Sequence, residues 1–209
     1  MTNRPAEAWA EMLAGNERFI AGTPQHPHQD AAYRETLANG QTPIAALFGC
    51  SDSRLAAEII FDRGLGDLFV IRNAGQVVSD SVLGTLEYAV AILNIPLIVV
   101  LGHDACGAVA ASLAATKPDA EPLPSHIGGI VRRVWPAVHR VHLEHPELPL
   151  HEADPAAVGR EHLRDTIADL VRESRVISEA VEAGTLAIVG ANYRLAAGRV
   201  EPDAVVGRV

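Results

Sequence analysis

Four short apolar runs alternate with segments of helical periodicity along most of the chain. The runs are residues 44–48, 68–71, 97–101 and 186–189, and each has four or five residues rich in valine, isoleucine and leucine. A continuous apolar run of this length is typical of a strand that is buried on both faces of a parallel sheet. Strands that alternate with helices predict an α/β domain with a mainly parallel sheet.

The segments between these runs carry the spacing of amphipathic helices. Residues 79–93 and 157–183 each place apolar side chains on one stripe, and the second helix is expected to end at Gly184. Residues 6–21 also predict a helix, as does the stretch 126–143 within a segment rich in proline and histidine.

We therefore expect one domain over residues 1–209. Residues 1–30 are predicted to form an N-terminal helical arm and residues 40–209 the α/β core. The predicted sheet has about four parallel strands plus an antiparallel edge strand, and helices flank it.

Composition excludes several classes of protein. A chain of 209 residues that is 48% hydrophobic can bury a sizeable core, so it is not disordered. Seventeen basic against twenty-six acidic residues argue against a nucleic-acid binder, which needs a basic surface. The longest strongly apolar run, residues 95–101, is far shorter than the ~20 residues that span a bilayer. With no signal-like apolar stretch at the N-terminus, we expect a cytoplasmic protein without membrane partners.

The two cysteines follow two different predicted strands. Cys50 comes after the run 44–48, and His103 and Cys106 come after the run 97–101. Ligands bind beyond the carboxyl ends of parallel strands, so these side chains are expected to meet at one edge of the sheet. A lone free cysteine is usually a small buried hydrophobe. Two thiols and one imidazole together, however, match a zinc site with an open fourth position, which is typical of catalytic zinc.

Asp52 and Arg54 lie within the same loop as Cys50. Taken alone, they favour a helix N-cap and a surface ion pair. Beside a metal site, the carboxylate can instead accept a hydrogen bond from a reacting water, while the guanidinium holds that carboxylate through two contacts.

The motifs of the chain resemble those of the β-class carbonic anhydrases. The resemblance covers nearly the whole sequence, and its most specific part is a pair of motifs about fifty residues apart. The matching motifs are Cys-Ser-Asp-Ser-Arg at 50–54, Arg-Asn-Ala-Gly at 72–75, Gly-His-Asp-Ala-Cys-Gly at 102–107 and Gly-Ala-Asn-Tyr-Arg-Leu at 190–195.

The resemblance implies zinc-dependent, reversible hydration of carbon dioxide to bicarbonate and a proton by a zinc-bound hydroxide. It makes Cys50, His103 and Cys106 the zinc ligands, and Asp52 with Arg54 the catalytic dyad. Asp52 is also a candidate fourth ligand, because in some members of the family this carboxylate closes the site at lower pH.

The resemblance further implies a substrate pocket and an oligomer. The matching pocket residues are Gln41, Phe69, Ala74, Tyr88 and Gly107; without the resemblance, the two aromatics are interpreted as core residues and the glutamine as a loop residue. The family forms dimers or tetramers of one chain, with the active site at the interface and the N-terminal helix across the partner. Packing of that helix on its own subunit is the alternative.

Two other functions remain open. Relatives with the same fold and zinc site hydrolyse carbon disulfide or carbonyl sulfide, although the residues Gln41, Phe69 and Tyr88 favour carbon dioxide. A non-catalytic protein that stores zinc or senses oxidation through its thiols is the second alternative, and the intact Asp52 and Arg54 argue against it.

The remaining histidines predict no further site. His139 and His142 have helical i, i+3 spacing and are capable of binding a second metal, but a solvated helix face is the favoured interpretation. None of the others, His162 among them, is assigned as a proton shuttle.

Overall fold

A five-stranded sheet forms the centre of the computed structural model, which describes residues 4–209. The strands lie in the order β2-β1-β3-β4-β5. The first four are parallel and β5 is antiparallel to β4, which confirms the predicted sheet. The strands are β1 (Ala45–Cys50), β2 (Leu68–Asn73), β3 (Leu97–His103), β4 (Ala187–Arg194) and β5 (Arg199–Val206).

Helices cover both faces of this sheet. The α-helices are α1 (Arg4–Ile20), α2 (Ala31–Thr36), α3 (Ala57–Ile60), α4 (Asp80–Ala91), α5 (Gly107–Ala114), α6 (Ser125–Glu144), α7 (Pro155–Glu173) and α8 (Arg175–Glu182). Short 3-10 turns occupy Leu37–Asn39, Ala74–Gln76 and Leu150–Glu152. Helices α1, α3, α5 and α6 bury their apolar side chains against one face of the sheet. Helices α4 and α8 and most of the apolar stripe of α7 cover the other. The result is a three-layered α/β domain.

The parallel strands extend further than their apolar runs. The hydrogen-bonded ladder continues to the pair Cys50 and Asn73 between β1 and β2, and to the pair His103 and Tyr193 between β3 and β4. Cys50 and His103 are therefore the last residues of neighbouring strands rather than loop residues. Because both are held in the sheet, their backbones have little freedom.

The expectation that every parallel strand is buried on both faces is wrong for β2. The side chains of β1 and β3 are buried throughout, whereas those of β2 are half-buried or exposed. The reason is its position, since β2 is an edge strand with β1 as its only neighbour in the sheet described for residues 4–209.

The predicted helix over 157–183 is two helices, α7 and α8. Ser174 separates them in an extended conformation, with φ −114° and ψ 110°. Its hydroxyl donates to Glu87 Oε1 at 2.7 Å and accepts from the backbone N–H of Ile177 at 3.2 Å, so the side chain caps α8. The apolar spacing continues across this break, which is why periodicity alone predicted one helix.

Helix α1 packs against its own subunit. Met12 is fully buried, and the Asn16 side chain donates to the backbone oxygens of Ile60 and Gly198 at 3.0 and 2.8 Å. These contacts attach the helix to its own chain, and its reach across a partner stays a prediction. Helix α6 confirms the helix predicted over 126–143. Among residues 4–209, no helix combines the length and apolar character needed to cross a bilayer.

Candidate metal centre

Three side chains from adjacent elements meet at the carboxyl edge of the sheet. Cys50 ends β1, His103 ends the neighbouring β3, and Cys106 is the N-cap residue of α5. All three are buried, and one donor atom from each lies within 4.8 Å of the other two. Within the described residues, this is the only such cluster of at least three histidine, cysteine or acidic side chains able to hold a metal ion.

One hydrogen bond fixes the tautomer of His103. The ring Nδ1 lies 2.8 Å from the backbone oxygen of Asp104. A carbonyl oxygen only accepts, so Nδ1 carries the proton and Nε2 presents its lone pair. This Nε2 is buried and has no hydrogen-bond partner among residues 4–209. An orphaned lone pair that faces two sulfurs is the arrangement of a metal-ligating imidazole.

Contact between the two cysteines moves the pKa values of their thiols in opposite directions. A hydrogen bond from the Cys106 thiol lowers the pKa of Cys50, and the Gly75 N–H contributes, donating to Cys50 Sγ at 3.4 Å. The same thiol–thiolate contact, together with burial, raises the pKa of Cys106. Burial lowers the pKa of His103, but the neighbouring Cys50 thiolate outweighs it and raises the pKa overall. The site therefore attracts positive charge into its centre.

The donor set fits zinc. Two sulfurs and one nitrogen are the ligands that Zn²⁺ takes in catalytic sites, where three protein ligands leave one position open. Both cysteines are free thiols, so neither is consumed by a disulfide bond. A divalent cation here would be held by both sulfurs and by Nε2 of His103, and it would favour the thiolate form of the two cysteines.

Asp52 and Arg54 form a two-point ion pair beside this cluster. Arg54 Nε donates to Asp52 Oδ1 at 2.9 Å and Nη2 donates to Oδ2 at 2.6 Å, while the Arg54 backbone N–H donates to Oδ1 at 3.0 Å. The hydrogen bond from Arg54 holds the pKa of Asp52 well below its usual range. The carboxylate is thus ionised and turned toward the guanidinium, and it is not among the three clustered donors.

Arg72 is a positioning residue that lies outside the predicted site. From β2 its Nε donates to the backbone oxygen of Cys50 at 3.0 Å, and its Nη2 donates to that of Asp52 at 2.6 Å. Arg72 thereby fixes the turn that carries both the first candidate ligand and the carboxylate. Its sequence signal is that it opens the Arg-Asn-Ala-Gly motif at 72–75.

Comparison with known proteins shows the family of the chain. Residues 45–200 match the family model described as carbonic anhydrase. The chain is 50% identical over 195 residues to Carbonic anhydrase 2 of Mycobacterium tuberculosis, covering 93% of this chain and 91% of that protein. Its fold superposes with a TM-score of 0.73 on the β-carbonic anhydrase CafA of Aspergillus fumigatus, at 26% identity and with 93% and 90% of the two chains covered. The chain belongs to the β-carbonic anhydrase family.

One further relative agrees in sequence, and one further structure agrees in fold. The carbonic anhydrase of Mycolicibacterium smegmatis is 46% identical over 208 residues, or 99% of this chain and 97% of that protein. A tetrameric β-carbonic anhydrase of Sordaria macrospora shares the fold, with a TM-score of 0.73 at 24% identity over 95% and 98% of the chains. Identity of 46–50% over nearly the whole chain makes this protein a carbonic anhydrase enzyme.

Of the pocket residues that the β-carbonic anhydrase resemblance implies, Ala74 and Gly107 begin two elements that contact each other beside the candidate ligands. Phe69 on β2 and Tyr88 on α4 stack with ring centroids 6.2 Å apart, and Tyr88 is 47% exposed. Gln41 lines a separate surface hollow beside Leu65. Ala74 is exposed at the end of β2, and Gly107 is exposed as the first residue of α5. Their shared role as a substrate pocket stays a prediction.

A cavity of about 460 Å³ adjoins the candidate ligands on the side of β4. His103 and Cys106 line it together with Asn192, Arg160 and Arg194. None of the five predicted pocket residues is among its described lining residues.

Proposed function

We propose that the protein catalyses the reversible hydration of carbon dioxide to bicarbonate and a proton, with Zn²⁺ held by Cys50, His103 and Cys106. The observation that carries this proposal is the convergence of the three buried donor atoms within 4.8 Å. The adjacent Asp52–Arg54 pair leaves a fourth position free for water.

Zinc at these donors supplies Lewis-acid activation of water at neutral pH. Two thiolates and a neutral imidazole balance the charge of Zn²⁺, which makes it a weaker Lewis acid than one held by three imidazoles. The contribution of neighbouring side chains is correspondingly larger.

Asp52 supplies that contribution. As an ionised carboxylate it only accepts hydrogen bonds, so it orients the reacting water by accepting a hydrogen bond from one of its O–H groups. Arg54 keeps the carboxylate ionised and at a distance from the metal. Without the hydrogen bonds from Arg54, Asp52 would be free to take the fourth ligand position of the metal itself and exclude water.

The substrate pocket is completed, in this proposal, by Gln41, Phe69, Ala74, Tyr88 and Gly107. Gly107 opens α5, and the first N–H groups of a helix have no partner within it. Such an N–H is suited to a substrate oxygen that gains negative charge. The aromatic pair supplies an apolar wall, which suits a neutral gas.

A second copy of the chain covers the β2 edge, so that the enzyme is a homodimer or a tetramer built from dimers. The support is an apolar surface that continues from half-buried β2 onto α4, where Tyr88 is 47% and Ile92 is 61% exposed. The Sordaria macrospora relative in fold is described as tetrameric. Since Gln41 lies apart from the metal centre of its own chain, a partner is also a means of bringing it there.

A cytoplasmic location remains part of the proposal. Thiolate ligands must stay reduced, and the cytosol keeps free cysteines in that state.

Stopped-flow measurement of carbon dioxide hydration on the zinc-loaded protein tests the function. Cys106→Ser is expected to lose zinc, and Asp52→Ala to retain zinc but turn over more slowly. Asp203→Ala is the matched control, because it removes another carboxylate paired with an arginine, Arg164, away from the site. Absence of hydration activity in the zinc-loaded wild type, with hydrolysis of carbon disulfide or carbonyl sulfide instead, would replace the proposed substrate.

A further inference from the structure

The turn that follows β2 has an unusual backbone. Gly75 and Gln76 both have positive φ, 74° and 40°, and both are buried. A Cβ atom at position 75 would lie 2.6 Å from the Cβ of Ala108, so only glycine fits. Within the turn, the Asn73 amide is bonded in both directions to the Val77 backbone, at 2.7 and 2.9 Å.

This turn donates a hydrogen bond to the metal centre. The Gly75 N–H points at Cys50 Sγ across 3.4 Å. Hydrogen bonds to a ligating thiolate orient the sulfur and tune the charge it gives to the metal. The direction of this N–H depends on the conformation of the turn; glycine adopts the left-handed φ of Gly75 readily, but holding it in that one conformation costs chain entropy.

Helix α7 holds the other side of the same turn. His162 Nε2 lies 2.7 Å from the Gly75 backbone oxygen, and Thr166 Oγ1 donates to the Gln76 oxygen at 3.3 Å. The one hydroxyl proton of Thr166 is shared with the His162 backbone oxygen at 2.9 Å, one helical turn earlier, so Thr166 and His162 contact the turn from consecutive turns of α7. His162 is only 3% exposed.

His162 acts here as a neutral donor. The Gly75 oxygen only accepts, so the proton is on Nε2. Burial lowers the pKa of His162, and its Nδ1 is buried without a partner among the described residues. A buried imidazole that leaves one nitrogen unsatisfied costs stability. The one hydrogen bond of the His162 ring therefore goes to the Gly75 oxygen.

We propose that His162 is a positioning residue of the metal centre, which holds Gly75 in the orientation that donates to the Cys50 sulfur. His162 touches neither the candidate ligands nor the reacting position, and it acts through the Gly75 backbone. The inference rests on the proposed function in taking Cys50 as a metal ligand.

The test uses the full-length protein loaded with Co²⁺ in place of Zn²⁺, since thiolate-to-cobalt absorption reports the state of the ligating sulfurs. It is combined with the rate at which the zinc-loaded protein releases zinc to a chelator. His162→Leu removes the donor, whereas His162→Gln retains an amide N–H near the position of Nε2. Leu163→Ala is the matched control, because it opens a cavity at the adjacent, fully buried position of α7 in a core away from Gly75.

We expect His162→Leu to shift the thiolate-to-cobalt band and to release zinc about 10-fold faster or more. His162→Gln should restore both toward the wild type. Leu163→Ala should lower the melting temperature while leaving the band and the release rate unchanged. If His162→Leu does not fold, His162→Asn takes its place, since its amide is too short to reach Gly75.

An unchanged band and release rate in the donor-free variant would overturn the inference. Equal changes in Leu163→Ala would overturn it as well, because they would reduce His162 to a structural residue. A wild-type cobalt protein without thiolate absorption is a different failure, since it removes the proposed metal site itself.

Discussion

Arg54 holds both carboxylate oxygens of Asp52 and also reaches the loop that carries Cys106. Its Nε and Nη2 lie 2.9 and 2.6 Å from the two Asp52 oxygens, and Nη2 is 3.3 Å from the backbone oxygen of Ala105. One guanidinium therefore connects the loops that follow β1 and β3, which are the loops around the metal centre. The carboxylate is fixed relative to both.

Arg54→Lys tests the need for this planar contact. A lysine ammonium keeps the charge but cannot bind both oxygens in the plane of the carboxylate. We expect kcat for carbon dioxide hydration to fall about 10- to 100-fold with zinc content unchanged. The loss should be larger near pH 6 than near pH 9, because a released Asp52 competes best where hydroxide is scarce.

Arg175→Lys is the control for this prediction. Arg175 forms an exposed i, i+4 pair with Glu179 on α8, and its replacement should leave hydration unaffected. If Arg54→Lys retained wild-type kcat from about pH 6 to 9, the two-point contact would have no part in turnover.

Asp62 carries a buried charge that links α1 to the body of the domain. Its side chain is 1% exposed, accepts from Arg18 Nε at 2.6 Å and accepts from the N–H groups of Gln25 and His26 at 3.1 and 3.0 Å. Burial works against the charged form, but these hydrogen bonds outweigh it and lower the pKa of Asp62 overall. Asp62→Asn should therefore lower the free energy of unfolding in urea by about 2–4 kcal/mol at pH 7.

The sign of the pH dependence follows from the lowered pKa. The contribution of the charge is complete above the unfolded-state pKa, about 4, and is lost as pH falls through the folded-state value. The gap between wild type and Asp62→Asn should thus be constant near neutrality and shrink in acid. Asparagine tolerates the positive φ of 45° at this position, so the substitution isolates charge from backbone strain. Asp169→Asn, at an exposed pair on α7, should cost under about 1 kcal/mol.

Hydrophobic pattern was sufficient to predict the four parallel strands and the longer helices, but no apolar run marked β5, and the short helices α2, α3 and α5 were not predicted from it. It did not predict where β1 and β3 end, because Cys50 and His103 do not continue an apolar run although the backbone ladder does. Nor did it predict the break between α7 and α8 at Ser174. The apolar spacing continues across this position, but the buried Ser174 hydroxyl is bonded to Glu87 and the helix ends there. Both differences are set by hydrogen bonds to residues distant in sequence.

The candidate metal centre was predictable because its ligands are rare residue types at the tips of strands. His162 was not, because a histidine within a helix carries no sign of burial by itself. The side chains on the same face of α7 do indicate burial. Every fourth residue along this face is buried, namely Val158, His162, Thr166 and Leu170. Two polar residues on a buried helix face indicate a buried polar contact. The sequence does not show which group they contact, because Gly75 is 87 positions away from His162.

Ile92→Glu tests the proposed interface at β2 and α4. A charge in the middle of an apolar contact between two copies costs enough to dissociate them, whereas on a free surface it is tolerated. Sedimentation should show a shift toward monomer together with reduced hydration activity. Leu143→Glu is the control, because Leu143 is 74% exposed on α6, away from this surface. If Ile92→Glu leaves the mass unchanged, the second copy binds elsewhere.

Gly15→Ala tests how α1 is attached. A Cβ at this position would lie 1.8 Å from the backbone oxygen of Phe61, which is buried and held in place by the core. The helix must therefore move away from α3, and the free energy of unfolding should fall by about 1–3 kcal/mol or more. Gly159→Ala is the matched substitution within α7, where nothing lies within 4 Å of the added carbon, and helix propensity should make it neutral or stabilising by up to about 1 kcal/mol.

Because the contact between Gly15 and Phe61 is within one subunit, Gly15→Ala should lower the free energy of unfolding without changing the mass of the oligomer. Dissociation without loss of subunit stability would show instead that α1 crosses to the partner.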